Sequence, residues 1–209
     1  MQASKRLNNL QQNLAPFSGN LAEDVPNFLI HHGFPKTAEH SRNVALKARE
    51  LAEQFGVDAD KAEMGGWLHD ISAVFPTAER CVIAREFGLD VLPEEDHFPM
   101  IIHQKLSVVV ARELFSVTDS DILSAIGCHT TLKKDASLLD KIVFVADKIA
   151  WDQVGTPPYL EDLLVGLDKS IDHASFVYLD YIWQMRDKLR VLHPWTAEAH
   201  SQLGKSLNL

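Results

Sequence analysis

The sequence TAEHSRNVALKARELAEQFG at residues 37–56 has the period of an α-helix. Its apolar residues recur at steps of three and four, which places them on one helical face. These residues are Val44, Ala48, Leu51 and Phe55. Thr37 is a suitable N-cap, and Gly56 is a typical helix stop. His40 lies four residues before the apolar row, so the pattern predicts that its imidazole points into the protein.

Helical periods continue along most of the chain, and glycines and prolines fall between them. After the helix that ends at Gly56, the next predicted helix starts at 58 or 60 and runs beyond 70. Further helices are predicted at 77–87, 100–115, 120–129, 137–151 and 159–192, with a short helix after 194. The stretch 159–192 can break near Gly166 and Asp168, and residues 93–99 are predicted to form a loop. Because strand alternation is scarce, we expect an all-α fold, a helical bundle.

The first 35 residues are expected to be a lead-in segment, followed by the main domain at 36–209. Helix breakers interrupt this segment repeatedly. They are Pro16, Gly19, Pro26, Gly33 and Pro35. His31 and His32 lie within it and are expected at the surface.

The bulk composition narrows the function. A formal net charge of −9 argues against broad nucleic-acid binding, which needs a basic surface. An anionic substrate is still compatible, because bound cations can reverse the local field. Two cysteines, Cys81 and Cys128, make neither a disulfide framework nor a cysteine-rich zinc module. With no long apolar span and no apolar leader, the sequence predicts a cytoplasmic protein without a membrane partner.

Metal-capable side chains fall on the apolar faces of several predicted helices. His103, His129 and Asp147 each lie in register with an apolar row, at steps of three, four or seven. An aspartate that faces a core is costly unless it is paired or binds a metal. His69 and Asp70 are adjacent, after two glycines that predict close approach of a neighbouring helix, the alternative being a kink. The candidate metal ligands are His40, His69, Asp70, His103, His129 and Asp147.

Four histidines and two aspartates are enough for two divalent cations if water completes the coordination. Mixed imidazole and carboxylate ligands suit Fe, Mn, Zn, Ni or Co better than Mg or Ca. Each histidine alone could be an ordinary core residue, so a plain helical interaction domain remains an alternative. The convergence of several helices on such residues favours the metal site.

The order His40, His69-Asp70, Asp147 resembles the signature of the HD superfamily of metal-dependent phosphohydrolases. The segments GGWLHDIS, IIHQKLSVVVARELF, AIGCHTT and LLDKIVFVADKI are similar to the YqeK family, from about 37 to 203. That resemblance implies an HD-domain bundle with a buried metal site. It also implies symmetrical hydrolysis of diadenosine tetraphosphate to two ADP by a metal-activated hydroxide.

The resemblance also implies roles for individual residues. His40, His69, Asp70 and Asp147 would hold one metal, and His103 and His129 the second, with Asp70 bridging; iron is expected first. The catalytic residues would be Asp70, His103 and His129. The residues expected at the substrate are Ile71, Ser72, Ala73, Thr130, Lys148, Gln153 and His193.

The chain departs from the family pattern at three positions. Gln104 and Leu132 stand at or near places where the family often has Gly. Gln153 stands where the family often has an Arg that can meet phosphate. These departures bear on the substrate and leave the metal ligands intact. The alternatives are therefore an HD phosphohydrolase for another nucleotide or phosphate ester, and a non-catalytic nucleotide sensor. The expected partner is a small nucleotide, and a homodimer is a further expectation.

Overall fold

The computed structural model describes residues 2–151 and 153–209, with side chains from residue 5 onward. The described residues form helices and contain no strand. The helices are α1 Gln2–Gln11, α2 Leu21–His31, α3 Pro35–Phe55, α4 Ala59–Leu68, α5 Arg80–Glu86, α6 Pro93–His97, α7 His103–Leu114, α8 Ser120–Cys128, α9 Leu138–Ile149, α10 Leu160–Leu167, α11 Ile171–Gln184 and α12 Pro194–Leu207. The predicted all-α fold is confirmed.

Helix α3 begins two residues earlier than Thr37, the predicted cap. Pro35 occupies the first helical turn, and Phe34 precedes it as the N-cap without a capping side chain. A proline suits this place because its fixed φ matches the helix and its missing N–H is not needed there. Gly56 ends the helix at a φ of 70°, as predicted, since glycine adopts the left-handed conformation without steric cost.

The segment before residue 36 is more ordered than a broken lead-in. Helix α2 buries Val25, Phe28 and Leu29 completely, in one core cluster with Ala45 of α3. The Asp24 carboxylate accepts hydrogen bonds from the backbone N–H groups of Ser18 and Gly19, which closes the turn before α2. The domain boundary at 35/36 stays a prediction, although α2 shares its core with the residues that follow.

Two glycines of α4 allow the close helix contact that the sequence predicts. A Cβ on Gly66 would lie 2.5 Å from the Ala45 Cα of α3, and one on Gly65 would lie 2.9 Å from a Val143 methyl group of α9. No side chain fits at the first distance. The glycines therefore let α4 pack closely against its neighbours, just before His69 and Asp70.

Two regions differ from the sequence prediction. Residues 93–99 contain the short helix α6, in which the Glu95 side chain accepts from the Leu92 N–H in a capping box. The predicted helical stretch 159–192 is divided into α10 and α11 at 168–170, where Ser170 caps the second helix. The division lies where Gly166 and Asp168 suggested a break.

Helix α9 lies at the centre of the bundle and packs against α3, α4, α8 and α11. Its residues 142–146 are fully buried, which matches its almost continuous apolar sequence. Its last turn places Asp147 beside the ends of α4 and α8, where the polar residues converge. Among the described residues, no helix is both long and apolar enough to cross a membrane.

Candidate metal centre

The structure brings the six predicted metal ligands together. One group joins α3, the end of α4 and α9. The His40 Nε2 lies 3.1 Å from Asp147 Oδ1 and 3.2 Å from His69 Nε2. The His69 Nε2 is 3.6 Å from the same Asp147 oxygen. These three ligand atoms are close enough to share one cation.

A second group forms around Asp70. Its Oδ1 lies 3.0 Å from His103 Nε2 and 3.5 Å from His129 Nε2. The two imidazole Nε2 atoms are 2.9 Å apart. The Asp70 Oδ2 is 3.7 Å from His69 Nε2, so this carboxylate lies between the two groups. Its position fits the bridging role that the resemblance implies.

Backbone carbonyls determine the tautomer of three imidazoles. His69, His103 and His129 each place Nδ1 on the carbonyl oxygen three residues earlier, at 2.7 Å, 2.5 Å and 2.8 Å. A carbonyl oxygen only accepts, so each Nδ1 carries the hydrogen and each neutral ring keeps a lone pair on Nε2. These Nε2 atoms all point into the centre.

Facing lone pairs at 2.9 Å repel unless a cation or a proton lies between them. Burial lowers the pKa of His69 to about 4, although Asp70 acts in the opposite direction, so protonation near neutral pH is disfavoured. Burial also lowers the pKa of His129. A divalent cation satisfies this arrangement, because imidazole nitrogens and carboxylate oxygens are the donors that transition metals accept.

The two aspartates remain ionised in this setting. Burial raises the pKa of Asp70, but the charge of the His69 imidazole, which is protonated below a pH of about 4, outweighs it and holds that pKa well below its ordinary value. The Asp147 pKa is likewise low, because Lys148 and His40 outweigh burial. Two carboxylates therefore face a single buried ammonium group, and the centre has a charge suited to cations.

Serine hydroxyls fix Asp70 relative to α7. The Ser72 hydroxyl donates to the carbonyl of His103 at 2.8 Å, and the Ser72 N–H donates to the Ser107 hydroxyl at 3.2 Å. Both serines are fully buried. The turn after Asp70 is therefore hydrogen-bonded to the helix that begins with His103. These hydrogen bonds fix the position of Asp70 relative to His103.

Gln104 has a clear structural use at a position where the family often has Gly. Its Oε1 accepts from the Thr130 N–H at 3.2 Å, and its Nε2 donates to the Thr131 hydroxyl at 3.1 Å. The Thr130 hydroxyl lies 3.0 Å from His129 Nε2, at the metal centre. The amide of Gln104 therefore holds the turn that carries His129. Leu132 follows this turn at a φ of 54°, a left-handed conformation that favours glycine.

A cleft of about 490 Å³ opens beside the metal centre. Of the predicted substrate residues, Ala73, Lys148 and Gln153 line it. The Lys148 ammonium is already engaged, at 2.5 Å from Asp147 Oδ2 and 3.2 Å from the His129 carbonyl. Its charge therefore balances Asp147, and a phosphate would have to share it.

Three other predicted substrate residues lie elsewhere. The Ile71 side chain is completely buried in the apolar core and cannot contact a ligand in the cleft. Ser72 uses its hydroxyl within the protein, as described above. His193 is buried, and its Nε2 lies 3.4 Å from Glu95 Oε1. Periodicity could not exclude these contacts, since all three residues lie outside regular α-helix interiors.

The sequence reasoning missed Arg80, which lines the cleft. It is only 7% exposed, although it is charged. The sequence pattern could have predicted this position, because Arg80 precedes an apolar row of Ile83, Ala84 and Phe87 at helical spacing. An arginine in that register points inward, and the same criterion identified the histidines.

Comparison with known proteins supports this arrangement. A family model described as HD domain matches residues 37–152, the stretch that holds all six ligands. The chain belongs to the HD domain family. An uncharacterized protein in the pepC 5' region of Lactococcus lactis subsp. cremoris is 46% identical to this HD domain chain over 152 residues, covering 73% of the chain and 77% of the relative.

Relatives with a named activity match a shorter part. The symmetrical bis(5'-nucleosyl)-tetraphosphatase of Bacillus subtilis is 37% identical over 113 residues, which is 53% of this HD domain chain and 59% of the relative. A crystal structure of a predicted HD superfamily hydrolase involved in NAD metabolism, from Clostridium acetobutylicum, has a TM-score of 0.80 at 26% identity. That match covers 92% of this chain and 100% of the other.

Proposed function

We propose that this HD domain protein is a metal-dependent hydrolase that cleaves diadenosine tetraphosphate symmetrically into two ADP. One observation carries the proposal: the Nε2 atoms of His103 and His129 face each other beside the Asp70 carboxylate, at the edge of an open cleft. The tetraphosphatase relatives support the choice of substrate.

Each side chain would have a role that follows from its position, either holding a metal ion or contacting the phosphate. His40, His69 and Asp147 would hold one cation, and His103 and His129 the other, with Asp70 shared between them. Bound divalent cations supply Lewis acidity, which lowers the pKa of water and neutralises phosphoryl charge. Asp70 orients both sites, and the Thr130 hydroxyl can donate to a phosphoryl oxygen beside them. The substrate would enter through the open cleft beside these residues.

The proposal also covers the number and identity of the metal ions and the location of the protein. The two groups of facing residues support two ions per chain, and iron is the metal that we place first, before Mn, Zn, Ni or Co. We also propose a cytoplasmic location. A homodimer remains an expectation from the resemblance alone.

Product analysis tests the proposal. The purified protein is incubated with diadenosine tetraphosphate and Fe²⁺ or Mn²⁺ in H₂¹⁸O, and the products are separated by chromatography and weighed by mass spectrometry. We expect ADP alone, with one ¹⁸O for each substrate cleaved, and no turnover by Asp70→Ala. ATP plus AMP would contradict symmetrical cleavage, and no turnover by metal-loaded protein would contradict the substrate.

A second candidate is an HD hydrolase for another nucleotide. Gln153 favours it, because this exposed, uncharged side chain lines the cleft where the family often has a phosphate-binding Arg. A panel of nucleoside monophosphates, cyclic nucleotides and dinucleotides, tested with the same metals, separates the two candidates. Faster hydrolysis of any panel member than of diadenosine tetraphosphate would favour the second. A nucleotide-sensing scaffold would bind members of the panel without turnover.

A further inference from the structure

Arg80 is a buried cation in the wall of the cleft. It begins α5 and is 7% exposed. Its Nε donates to the Phe75 carbonyl at 3.2 Å, and its Nη1 lies 3.5 Å from the Met100 carbonyl and 3.7 Å from the Met100 sulfur. These partners are neutral. They hold the guanidinium plane in place and leave its charge uncompensated.

The contrast with the other cations is informative. In the part of the chain that the structure describes, no ion pair joins Arg80 to a carboxylate. Lys148, the other cation that lines the cleft, is bound to Asp147. Arg85, one turn further along α5, pairs with Asp96 at the surface. Burying a charge without a counter-ion is costly, so a mostly buried guanidinium with open donors indicates an anionic ligand.

The position of Arg80 relates it to the metal centre. The Met100 carbonyl accepts from the His103 Nδ1 and also faces the Arg80 Nη1, so a single oxygen separates this guanidinium from a metal-binding imidazole. The negative charge of Asp70 raises the pKa of Arg80, against the larger lowering effect of burial. Arg80 is therefore within electrostatic reach of the metals.

Thr77 adds a second donor at the same wall. Its side chain is exposed and lines the cleft. Its hydroxyl lies 3.4 Å from the Met100 sulfur, which is a weak acceptor. A phosphate oxygen would replace that contact with a stronger, charge-assisted hydrogen bond.

We propose that Arg80 and Thr77 form an anion subsite, which binds the phosphate next to the one held at the metals. This inference rests on the proposed function, because it takes the ligand to be a nucleoside polyphosphate. The planar guanidinium can donate from two nitrogens to one phosphate, which an ammonium group cannot do. In this chain the subsite supplies a positively charged phosphate contact, which the uncharged Gln153 cannot provide. It would select ligands that have at least two linked phosphates.

Calorimetric binding of ADP and of AMP to the metal-loaded protein tests the subsite. AMP places its only phosphate at the metals, whereas the second phosphate of ADP reaches Arg80. Charge-assisted hydrogen bonds contribute about 1.5–3 kcal/mol, so Arg80→Gln is expected to weaken ADP binding about 10- to 100-fold. AMP binding should change less than about twofold, because a variant at the subsite leaves the metals in place. The control Arg85→Gln, on the same helix, should change neither.

Metal content and melting temperature are measured for each variant. Arg80→Lys should recover part of the ADP affinity, since it restores the positive charge but not the planar guanidinium that can donate from two nitrogens. If Arg80→Gln does not fold, Thr77→Val removes one exposed donor and should weaken ADP, but not AMP, about 3- to 10-fold. Equal weakening of both nucleotides, no weakening of ADP, or a wild-type protein that binds ADP no better than AMP would overturn the subsite.

The outcome can be separated from that of the proposed function. A selective loss of ADP affinity, in a wild-type protein that does not cleave diadenosine tetraphosphate, would keep the subsite and reject the substrate. Symmetrical cleavage together with unchanged ADP affinity in Arg80→Gln would keep the function and reject the subsite.

Discussion

Two buried clusters of histidine and carboxylate lie in this molecule, and their hydrogen bonds differ. In the first, the metal centre, imidazole Nε2 atoms face each other at 2.9 Å and 3.2 Å. In the second, Glu95 accepts from Lys105 at 2.8 Å and from the Leu92 N–H at 2.8 Å. His193 completes it, since its Nδ1 accepts from the Trp195 N–H and its Nε2 therefore carries the hydrogen toward Glu95.

The difference lies in whether the backbone accepts a hydrogen bond from the ring Nδ1 or donates one to it. At His69 a backbone carbonyl accepts a hydrogen bond from Nδ1–H, so the lone pair of the neutral ring is on Nε2. At His193 a backbone N–H donates a hydrogen bond to the Nδ1 lone pair, so the hydrogen of the neutral ring is on Nε2. The same residue type thus offers a lone pair to a metal ion in one cluster and donates a hydrogen bond in the other. The Glu95 cluster is satisfied within the protein, whereas the facing Nε2 lone pairs of the candidate metal centre have the donor set that a cation would accept.

Exchanging a histidine for alanine in each cluster gives the largest expected contrast. The His69 Nε2 lies 3.2 Å from His40 Nε2 and 3.7 Å from Asp70 Oδ2, so His69→Ala should reduce hydrolysis about 10³-fold or more and reduce bound metal. His193→Ala should keep the metal content and change the rate much less. Rates with saturating metal and metal content by mass spectrometry check this. Equal loss of metal in both variants would remove the distinction between the clusters.

Removal of the carboxylate from the second cluster should act on stability. Glu95→Ala removes the carboxylate that faces Lys105 and His193, and breaking a buried ion pair costs about 3 kcal/mol or more. The free energy of unfolding from denaturant titration should fall by about that amount, with metal content unchanged. Glu94→Ala, on the neighbouring residue, is the control. A stability loss below about 1 kcal/mol for Glu95→Ala would show that the cluster contributes little.

Much of the candidate metal centre was predictable because its residues obey helical spacing. His40, His103, His129 and Asp147 each lie in an apolar row, and spacing shows direction without a structure. The second cluster was not predictable in this way. Glu95 lies on a five-residue helix and His193 follows an extended segment, so neither belongs to a period. Their pairing joins residues that are 98 positions apart, which local sequence does not encode.

The fold shows the same limit. Most helices after residue 36 were predicted from period and breakers, with α6 as the exception, whereas the burial of α2 depends on a tertiary contact with α3. The hydrogen bonds of the imidazole Nδ1 atoms depend on helix ends, where the carbonyl three residues earlier is available. Helix ends are the least certain part of a sequence prediction. The tautomers could therefore only be read from the structure.

Helix contact at the glycines gives a smaller effect that links the fold to the metal centre. Gly66→Ala places a methyl group against the backbone of Ala45, which cannot move without α3, so we expect about 2 kcal/mol of destabilisation. Gly65→Ala meets only a valine methyl group and should cost less. Thermal unfolding of both variants checks the order. The reverse order, or no effect at Gly66, would contradict the close packing of α4 on α3.

The smallest expected effect is a change in pH dependence. Burial raises the pKa of Glu95, but hydrogen bonds from His193 and Lys105 outweigh it and lower that pKa below 4.5. A lowered carboxyl pKa stabilises the fold above the unfolded value, and this contribution disappears as the pH falls through the folded value. In metal-free protein, the free energy of unfolding should therefore fall less steeply below pH 4.5 in Glu95→Gln than in wild type. Identical slopes would contradict the lowered pKa, because the other acids are common to both proteins.

Cation binding by the metal-stripped protein tests the central claim most directly. Mn²⁺ is titrated by calorimetry into wild type, Asp147→Asn and Glu95→Gln, and melting temperatures are recorded with and without metal. We predict saturable binding and a metal-dependent rise in melting temperature for wild type and Glu95→Gln, both strongly reduced in Asp147→Asn. Absence of saturable binding to wild type, or full binding by Asp147→Asn, would contradict the claim that the facing imidazoles and carboxylates form a metal centre.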